Sequence, residues 1–268
     1  MEADVLSIDN KKTGKMKLPA QFHEELRPDL VKRAVLAIQS HNRQPYGAKP
    51  FAGMRSSAEV SKRRRDYRGS YGHGISRVPR KVLSRRGTRM NWVGAFAPGT
   101  VGGRKAHPPK AEKIWEEKIN KKERRKAIRT AIAATINKTL VAERGHILPA
   151  HYPIIVESQL ESIDKTKRVI EILNLLGLKE ELQRASEKKV RAGKGKMRGR
   201  KYKRKKGPII IISKQDKLMK SAANIPGVDV VEVKNLNAEL LAPGADIGRI
   251  AVWTNAAIEK LGKEKIFM

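Results

Sequence analysis

The sequence contains no cysteine, few aromatic residues and no long apolar run. Without cysteine, disulfides and thiolate zinc sites are excluded, which suits a reducing cytoplasm. The most strongly apolar run, Ile209–Ile212, is far shorter than the roughly 20 residues of a membrane-spanning helix. The first residues are acidic and do not resemble a signal peptide, and no amphipathic basic helix or lipid anchor is found. We therefore expect no membrane partner.

Acidic residues are also scarce, with 27 Asp and Glu against 59 Lys and Arg and a net charge of +32. Such an excess repels itself and implies a polyanionic partner, usually nucleic acid. The charge is concentrated in two segments. Residues 43–110 hold 17 basic and two acidic residues, and residues 188–206 hold 12 basic residues and no acid. The rest of the chain is nearly neutral, as in an ordinary globular domain.

The first basic segment, 43–110, holds ten of the 21 glycines and six of the twelve aromatic residues. It shows no helical or alternating apolar period, so it cannot bury a core of its own. Its 12 arginines outnumber its five lysines, and guanidinium groups bind phosphates bidentately and stack on bases. Glycines allow close approach to phosphates, and aromatic rings offer stacking faces to unpaired bases. We predict a long irregular internal loop that penetrates RNA, rather than a solvated linker.

The second basic segment, 188–206, is a charge run that ends just before a predicted strand. A nuclear-localisation-like tail or a disordered arm is the alternative. Its position inside the folded region favours a loop clamped on phosphates. The predicted RNA-binding residues of the two segments are Arg43, Tyr46, Lys49, Arg55, Lys62, Arg63, Arg64, Arg65, Arg68, Tyr71, Arg77, Arg80, Lys81, Arg85, Arg86, Arg89, Trp92, Arg104, Lys105, His107, Lys194, Lys196, Arg198, Arg200, Lys201, Tyr202, Lys203 and Arg204.

Outside these segments, strand and helix patterns alternate. Predicted strands include Val5–Ile8, Ile154–Val156, Ile209–Ile212, Val228–Val233 and Ile250–Trp253. One helix is predicted through Leu30–Ile38, and a helical pattern begins at Ile114, Trp115 and Ile119. An Asn120–Glu123 capping box opens a second helix, whose buried face reaches Leu140. A further helix is capped by Asp164 and stopped by Gly177, and a last one is capped by Thr254. This alternation predicts an α/β fold: a single three-layer domain, residues 1–268, with a mainly parallel central sheet flanked by helices and interrupted by the loop 43–110.

No catalytic constellation emerges, so we expect no catalytic residue, metal or cofactor. The six histidines are dispersed and lack metal-ligand spacing, which favours surface or RNA-contacting roles. An RNA-modifying enzyme such as a methyltransferase remains an alternative, but it needs a glycine-bearing loop after a strand and a nearby carboxylate. The loops after Ile212 and Val233 offer neither clearly. An architectural DNA-binding protein is the other alternative, because arginine-rich loops suit either polymer.

Several longer motifs lie in a recognisable order. They are Arg43-Gln44-Pro45-Tyr46-Gly47, Ser57-Ala58-Glu59, Arg77-Val78-Pro79-Arg80, Gly102-Gly103-Arg104-Lys105-Ala106-His107-Pro108-Pro109, Ala142-Glu143-Arg144-Gly145-His146 and Arg198-Gly199-Arg200-Lys201-Tyr202. With them, almost the whole chain resembles the large-subunit ribosomal protein family number four, the "L-four" family, in its archaeal and eukaryotic form. Because Met268 closely follows the last predicted helix, the archaeal type is favoured.

The resemblance implies a structural constituent of the large ribosomal subunit, in the cytoplasm, and not an enzyme. It implies an α/β domain on the subunit surface and an internal loop that runs into the ribosomal RNA. The loop tip, expected between Arg63 and Trp92, helps to line the peptide exit tunnel. The implied partners are large-subunit ribosomal RNA, neighbouring ribosomal proteins including the "L-twenty-two" family, and the nascent polypeptide, with no homo-oligomer.

Overall fold

The computed structural model describes residues 2–268 and has an α/β fold. Its strands are β1 (Glu2–Leu6), β2 (Lys12–Lys17), β3 (Arg80–Arg86), β4 (Arg89–Gly94), β5 (Ile154–Val156), β6 (Lys188–Val190), β7 (Tyr202–Arg204), β8 (Ile209–Ile212), β9 (Asp229–Glu232) and β10 (Ala251–Thr254). Its α-helices are α1 (Pro28–His41), α2 (Lys121–Ile136), α3 (Lys138–Glu143), α4 (Thr166–Leu173), α5 (Lys179–Ser186), α6 (Lys217–Ala222), α7 (Ala238–Leu241) and α8 (Asn255–Lys263).

Six strands form one sheet in the order β2-β1-β5-β10-β8-β9. All neighbours in it are parallel except β1 and β2, which are antiparallel. Only Ser7–Lys11 separate β1 from β2, and so short a connection cannot make the crossover that a parallel pair needs. The sheet is therefore mixed but mostly parallel, which confirms the predicted α/β class.

Helices cover both faces of this sheet. Every side chain of β8 is buried, as expected from its unbroken apolar run. Successive strand residues point to opposite faces, so Ile209 and Ile211 pack with α1, α2 and α8, whereas Ile210 and Ile212 pack with α4 and α6. A strand that is covered on both sides must be apolar at every position.

The helix α2 begins where it was predicted to, with Asn120 at the N-cap position, but the Asn120 side chain makes no capping hydrogen bond. The helical pattern predicted just before it, at Ile114, Trp115 and Ile119, lies outside any helix. Glu123 accepts a hydrogen bond from Arg33 of α1, with Nη1 to Oε1 at 3.2 Å. The predicted capping box was therefore wrong, because a tertiary ion pair holds its glutamate.

The end of α2 also differs from the prediction. The helix stops at Ile136, and Leu140 belongs to the separate helix α3. Asn137 begins that helix, since its Oδ1 accepts hydrogen bonds from the amides of Thr139 at 3.1 Å and Leu140 at 3.4 Å. Asparagine is a favoured N-cap residue, and here it starts a new helix within one predicted apolar stripe.

The predicted cap at Asp164 was wrong as well, because Lys165 takes the N-cap position of α4 and no side chain caps it. Gly177 does end the regular helix: it lies in a π-helical turn, Asn174–Leu178, with φ of +82°. A Cβ added to Gly177 would lie 3.0 Å from the Cβ of Pro149, so the backbone conformation and the space both favour glycine. The helix that follows, α5, was not predicted.

Residues Arg43–Trp115 form a compact unit of their own. Its buried apolar side chains are only those of Ala95 and Ala97, in keeping with a segment that has no core. It contains one antiparallel hairpin, β3–β4, in which Arg86 pairs with Arg89. The hairpin was not predicted, although the two-residue Gly-Thr turn between its strands, with Gly87 at φ +59°, is a recognised hairpin pattern.

The second basic segment lies in the other unit and contains the antiparallel pair β6–β7. A 3-10 helix, Lys194–Arg198, lies between the two strands. Gly193 and Gly199 flank this turn with φ of +77° and +75°. The segment is thus a basic hairpin rather than the plain loop that was expected.

Candidate nucleic-acid interface

The basic side chains of the first segment are available to a ligand. Of its 17 lysines and arginines, all but Arg80 and Arg104 are exposed. The Asp66 carboxylate accepts hydrogen bonds from the Ser61 hydroxyl and the Tyr67 amide rather than from a cation. The positive charge of the segment is therefore not neutralised from within, and a phosphate-bearing ligand can supply the missing counter-charge.

Several guanidinium groups of this unit lie over aromatic rings. Arg77 lies 4.8 Å from the ring centre of Tyr71 and donates to its hydroxyl at 3.1 Å. Arg85 makes the same pair of contacts with Tyr67, at 4.8 Å and 3.1 Å. Arg68 lies 5.2 Å from the centre of the Tyr67 ring as well. These pairs hold flexible arginines in fixed positions and leave ring edges and guanidinium donors exposed.

Tyr67 was not among the predicted contact residues, yet the guanidinium groups of Arg68 and Arg85 both lie over its ring. Hydrogen bonding by Arg68, followed by that of Arg85, lowers the pKa of its phenol from the ordinary value of 10.0. In the sequence, the one feature that could have indicated an RNA-contacting role for Tyr67 is its position within the basic stretch Arg63–Arg68. The structure brings Tyr67 together with predicted residues that lie about twenty positions further along the chain, in the β3–β4 hairpin.

Trp115 is a second residue that was not among the predicted contact residues, because its apolar pattern predicted a helix. Its ring stacks on Tyr46 with 5.6 Å between the ring centres, and Arg43 lies over it at 4.1 Å. Lys113 approaches the same ring at 4.2 Å. The predicted residues Arg43 and Tyr46 thus form one cluster with Lys113 and Trp115, which lie beyond the predicted end of the segment at position 110.

The basic hairpin is the second surface. Every lysine and arginine of 188–206 is exposed except Arg191, which is half-buried. Lys188 and Lys201 lie over the ring of Tyr202 at 3.8 Å and 5.5 Å. The side chain of Met197 in the turn is 80% exposed. The predicted cations are therefore exposed on a short, ordered support.

A buried ionic cluster fixes the end of this hairpin. Glu181 of α5, with a fully buried side chain, accepts hydrogen bonds from His146 Nδ1 at 2.7 Å and from Arg184 Nη2 at 2.6 Å. The amide of Ile147 donates to its other oxygen at 3.0 Å. Arg184 Nη2 also donates to the carbonyl of Lys206 at 2.8 Å. The cluster therefore connects the hairpin to two elements of the globular unit.

The pKa values in this cluster follow from burial and pairing. Burial alone would raise the pKa of Glu181, but the hydrogen bonds of Arg184 and then His146 outweigh it, so the pKa lies below the ordinary 4.5. Burial lowers the pKa of His146 below 6.5. His146 was expected to be a surface or RNA-contacting residue. That expectation was wrong for this histidine, which is 7% exposed.

A second buried cation lies beside the same hairpin end. The fully buried Arg249 donates to the carbonyl of Gly207 at 2.9 Å and to Asp229 Oδ2 at 2.6 Å. Lys206 donates to that same carboxylate oxygen at 3.1 Å. The chain leaves the hairpin and enters β8 between two arginines, Arg184 and Arg249, which hold consecutive carbonyl groups.

The carboxyl ends of the parallel strands carry a separate polar network. Glu161 accepts hydrogen bonds from the Ser213 amide at 2.9 Å and from the Thr254 hydroxyl at 2.5 Å. Lys260 donates to the Ser213 carbonyl and pairs with Glu232 at 3.0 Å. In cofactor-binding α/β folds this edge holds the ligand. Here its polar groups are bonded to one another, which disfavours the methyltransferase alternative.

Metal binding and membrane crossing find no support in residues 2–268. Within this part of the chain, no group of three or more histidine, cysteine or acidic side chains is placed to hold a metal ion. No helix of the described residues is long and apolar enough to cross a membrane.

Comparison with known proteins identifies the family. The sequence profile of the Ribosomal protein L4/L1 family matches residues 16–264. The chain belongs to this family. It is 53% identical over 268 residues to the large ribosomal subunit protein uL4 of Nanoarchaeum equitans, covering 100% of both chains. It is 48% identical to the uL4 of Archaeoglobus fulgidus over 264 residues, covering 98% of this chain and 99% of the relative.

A third relative, the uL4 of Methanosphaera stadtmanae, is 45% identical over 262 residues, covering 97% of this chain and 95% of the relative. These archaeal relatives confirm the resemblance to the archaeal form of the family. Members of a ribosomal protein family are structural proteins of the cytoplasmic ribosome, so the chain is not an enzyme.

Proposed function

We propose that this protein binds and organises large-subunit ribosomal RNA through the two basic segments, 43–110 and 188–206. Family membership supports a structural role in the large subunit with ribosomal RNA and ribosomal proteins as its surroundings. The observation that carries the finer proposal is the exposed positive charge of both segments: among the ion pairs of residues 2–268, only Lys205 and Lys206 of these segments pair with a carboxylate, Glu187 and Asp229. Their arginines and lysines neutralise phosphates that would repel one another where RNA helices converge.

The residues proposed to touch RNA are those predicted from the sequence, with Tyr67, Lys113 and Trp115 added. Exposed guanidinium groups beside aromatic rings suit unpaired or bulged RNA, because they offer a phosphate ligand and a stacking face together. The first segment, 43–110, acts as an extension that becomes ordered fully only on assembly, and the globular domain acts as its support.

The tip of the first segment, between Arg63 and Trp92, is proposed to help line the peptide exit tunnel beside the "L-twenty-two" protein. This proposal rests on the family resemblance. The hairpin turn Gly87–Thr88 is exposed and flanked by Arg86 and Arg89, so it offers a basic surface to RNA and to a nascent chain.

A crosslinking experiment tests this placement. A photo-reactive amino acid at Thr88 of the assembled protein should crosslink to a stalled radiolabelled nascent chain or to "L-twenty-two". The same group at Lys167, an exposed position on α4, should crosslink to neither. Equal yields at the two positions, or none at Thr88, would rule out the tunnel placement.

RNA binding itself is tested with a fragment of large-subunit ribosomal RNA and a DNA duplex of equal length. We expect tighter binding to the folded RNA at every salt concentration. Equal affinity for the DNA duplex would favour the architectural DNA-binding alternative.

A further inference from the structure

We propose that a cavity within Arg43–Trp115 binds one unstacked nucleotide of an RNA strand. This inference rests on the proposed RNA-binding function and adds a defined ligand site to it. The cavity has a volume of about 440 Å³ and lies between the turn that carries Tyr67 and the β3–β4 hairpin. The side chains that matter for binding are Tyr67, Arg68, His73, Arg85, Arg89 and Trp92.

The size of the cavity selects the ligand. Pockets of roughly 300–1,000 Å³ enclose one small organic molecule, so about 440 Å³ suits a single nucleotide. A base that is stacked and paired in a helix cannot enter such a space without leaving the helix. The ligand is therefore an unpaired residue of a loop, a bulge or a single strand.

The walls of the cavity combine the two chemistries that a nucleotide needs. Tyr67 and Trp92 supply aromatic surface beside the arginines that lie over their rings, and a base can stack on a guanidinium plane as well as on a ring. The half-buried Ile75 and Met90 add apolar surface for the base. Exposed guanidinium groups of Arg68, Arg85 and Arg89 surround this surface and suit the phosphate. Stacking on aromatic rings tolerates any base, because every base has a π-face.

The turn that carries Tyr67 is held by its own hydrogen bonds. Asp66 accepts from the Ser61 hydroxyl at 2.5 Å and from the Tyr67 amide at 2.9 Å, and its carbonyl accepts from the Gly69 amide at 3.0 Å. Arg68 adopts a left-handed backbone with φ of +59°, a conformation that non-glycine residues rarely take without support.

Arg85 links the two walls. Its Nη1 donates to the Tyr67 hydroxyl at 3.1 Å, and its Nε donates to the Gly87 carbonyl at 2.7 Å. These bonds hold the hairpin and the Tyr67 turn together before a ligand arrives, while the rest of 43–110 becomes ordered on assembly. A part of the site that is already formed loses less conformational freedom on binding.

The test uses the full chain and a pentauridylate whose central base is 2-aminopurine, a base whose fluorescence falls when it stacks. We expect binding with quenching for the wild type. Tyr67→Ala should bind the probe about 5- to 150-fold more weakly, the loss typical of one base–aromatic stack, and should lose the quenching. Tyr67→Phe keeps the ring and should retain the quenching.

Trp92→Leu is a second variant, on the opposite wall, and should also lose the quenching. Phe51→Ala is the control, because Phe51 is an exposed aromatic residue of the same unit that does not line this cavity. It should behave as the wild type does. Circular dichroism of each variant shows whether the globular domain has folded.

Unchanged affinity and quenching in both Tyr67→Ala and Trp92→Leu would overturn the nucleotide site, while retained binding to ribosomal RNA would leave the proposed function standing. Displacement of the probe by AMP at the same concentration as by unlabelled pentauridylate would show a mononucleotide site and overturn the assignment to an RNA strand. Failure of the wild type to bind ribosomal RNA would instead contradict the proposed function.

Discussion

Replacing Glu181 by glutamine should destabilise the fold, because the carboxylate is the only acidic partner of His146 and Arg184 among the ion pairs of that cluster. Its side chain is fully buried, whereas that of Arg184 is 15% exposed. Removing one member of a buried ion pair costs about 3–5 kcal/mol. Since Arg184 retains some solvent and the carbonyl of Lys206, we expect a loss of about 2–4 kcal/mol in the free energy of unfolding.

The assay is urea unfolding of the full chain at pH 7.5, followed by far-UV circular dichroism. Glu180→Gln is the matched control: the same change at the preceding residue of α5, which is exposed. Exposed substitutions of this kind usually stay within about 0.5 kcal/mol of the wild type. If Glu181→Gln also stayed within about 0.5 kcal/mol, the cluster would not stabilise the hairpin end as inferred.

The pH dependence of the free energy of unfolding gives an independent check on the role of Glu181. Because the folded pKa of Glu181 is lowered, its contribution is present above the ordinary 4.5 and is lost as the pH falls through the folded value. The gap between wild type and Glu181→Gln should therefore narrow below pH 4.5. His146 has a lowered folded pKa too, so the wild type should already lose stability as the pH falls below 6.5. A gap that widened as the pH fell below 4.5 would contradict the assignment.

Three further predictions concern RNA binding and the fold. The double change Arg63→Ala with Arg64→Ala should weaken binding to ribosomal RNA. It should also flatten the plot of log K against log salt by about 0.7–0.9 for each phosphate that is no longer bound, measured by filter binding. Limited proteolysis should cut the free protein within 43–110, and assembly into the large subunit should protect those bonds, because binding to RNA orders the segment. Gly177→Ala should lower the free energy of unfolding by about 1–2 kcal/mol, since φ is +82° and Pro149 crowds the new Cβ.

Two of these predictions have a matched control variant. Lys167→Ala with Arg168→Ala removes two neighbouring exposed cations of α4 and should leave the salt dependence unchanged. An unchanged slope in the Arg63 and Arg64 variant would show that neither touches phosphate. Equal cleavage of 43–110 before and after assembly would count against ordering on RNA. Gly14→Ala, where nothing lies within 4 Å of an added Cβ, should cost less than Gly177→Ala, and the reverse order would refute the strain argument.

Local sequence patterns predicted the parts of the fold that are determined locally. The run Ile209–Ile212 predicted a strand buried on both faces, and it is one. Thr254 was predicted to cap the last helix, and its hydroxyl does accept from the Ala257 amide at 3.3 Å. Both features depend on residues that are adjacent or three positions apart, so the pattern contains the information that is needed.

Features that depend on distant partners could not be predicted in this way. Glu123 was expected to cap its own helix, but its carboxylate accepts a hydrogen bond from Arg33, which lies 90 residues away in the chain. His146 lies outside any helix and is buried because it pairs with Glu181 and Arg184 of α5, more than 30 residues further along the chain. A single sequence shows the residue types but not which of them meet.

The candidate site also has a part that local sequence predicts and a part that depends on distant partners. Charge and composition alone selected both basic segments, because exposed cations need no partner to be recognised. The aromatic clusters around Tyr67 and Trp115 became visible only when the fold placed arginines over the rings. Whether the segments 43–110 and 188–206 touch RNA stays a prediction.

The most direct test of the central claim is sedimentation of ribosomal subunits through a high-salt gradient, with this protein quantified in every fraction. The exposed cations of the two segments should bind many phosphates, and a segment threaded through RNA cannot leave by exchange of single ion pairs. We predict one copy of the protein per large subunit, retained under salt that strips loosely bound factors. Release into the top fractions, or migration with the small subunit, would contradict the account.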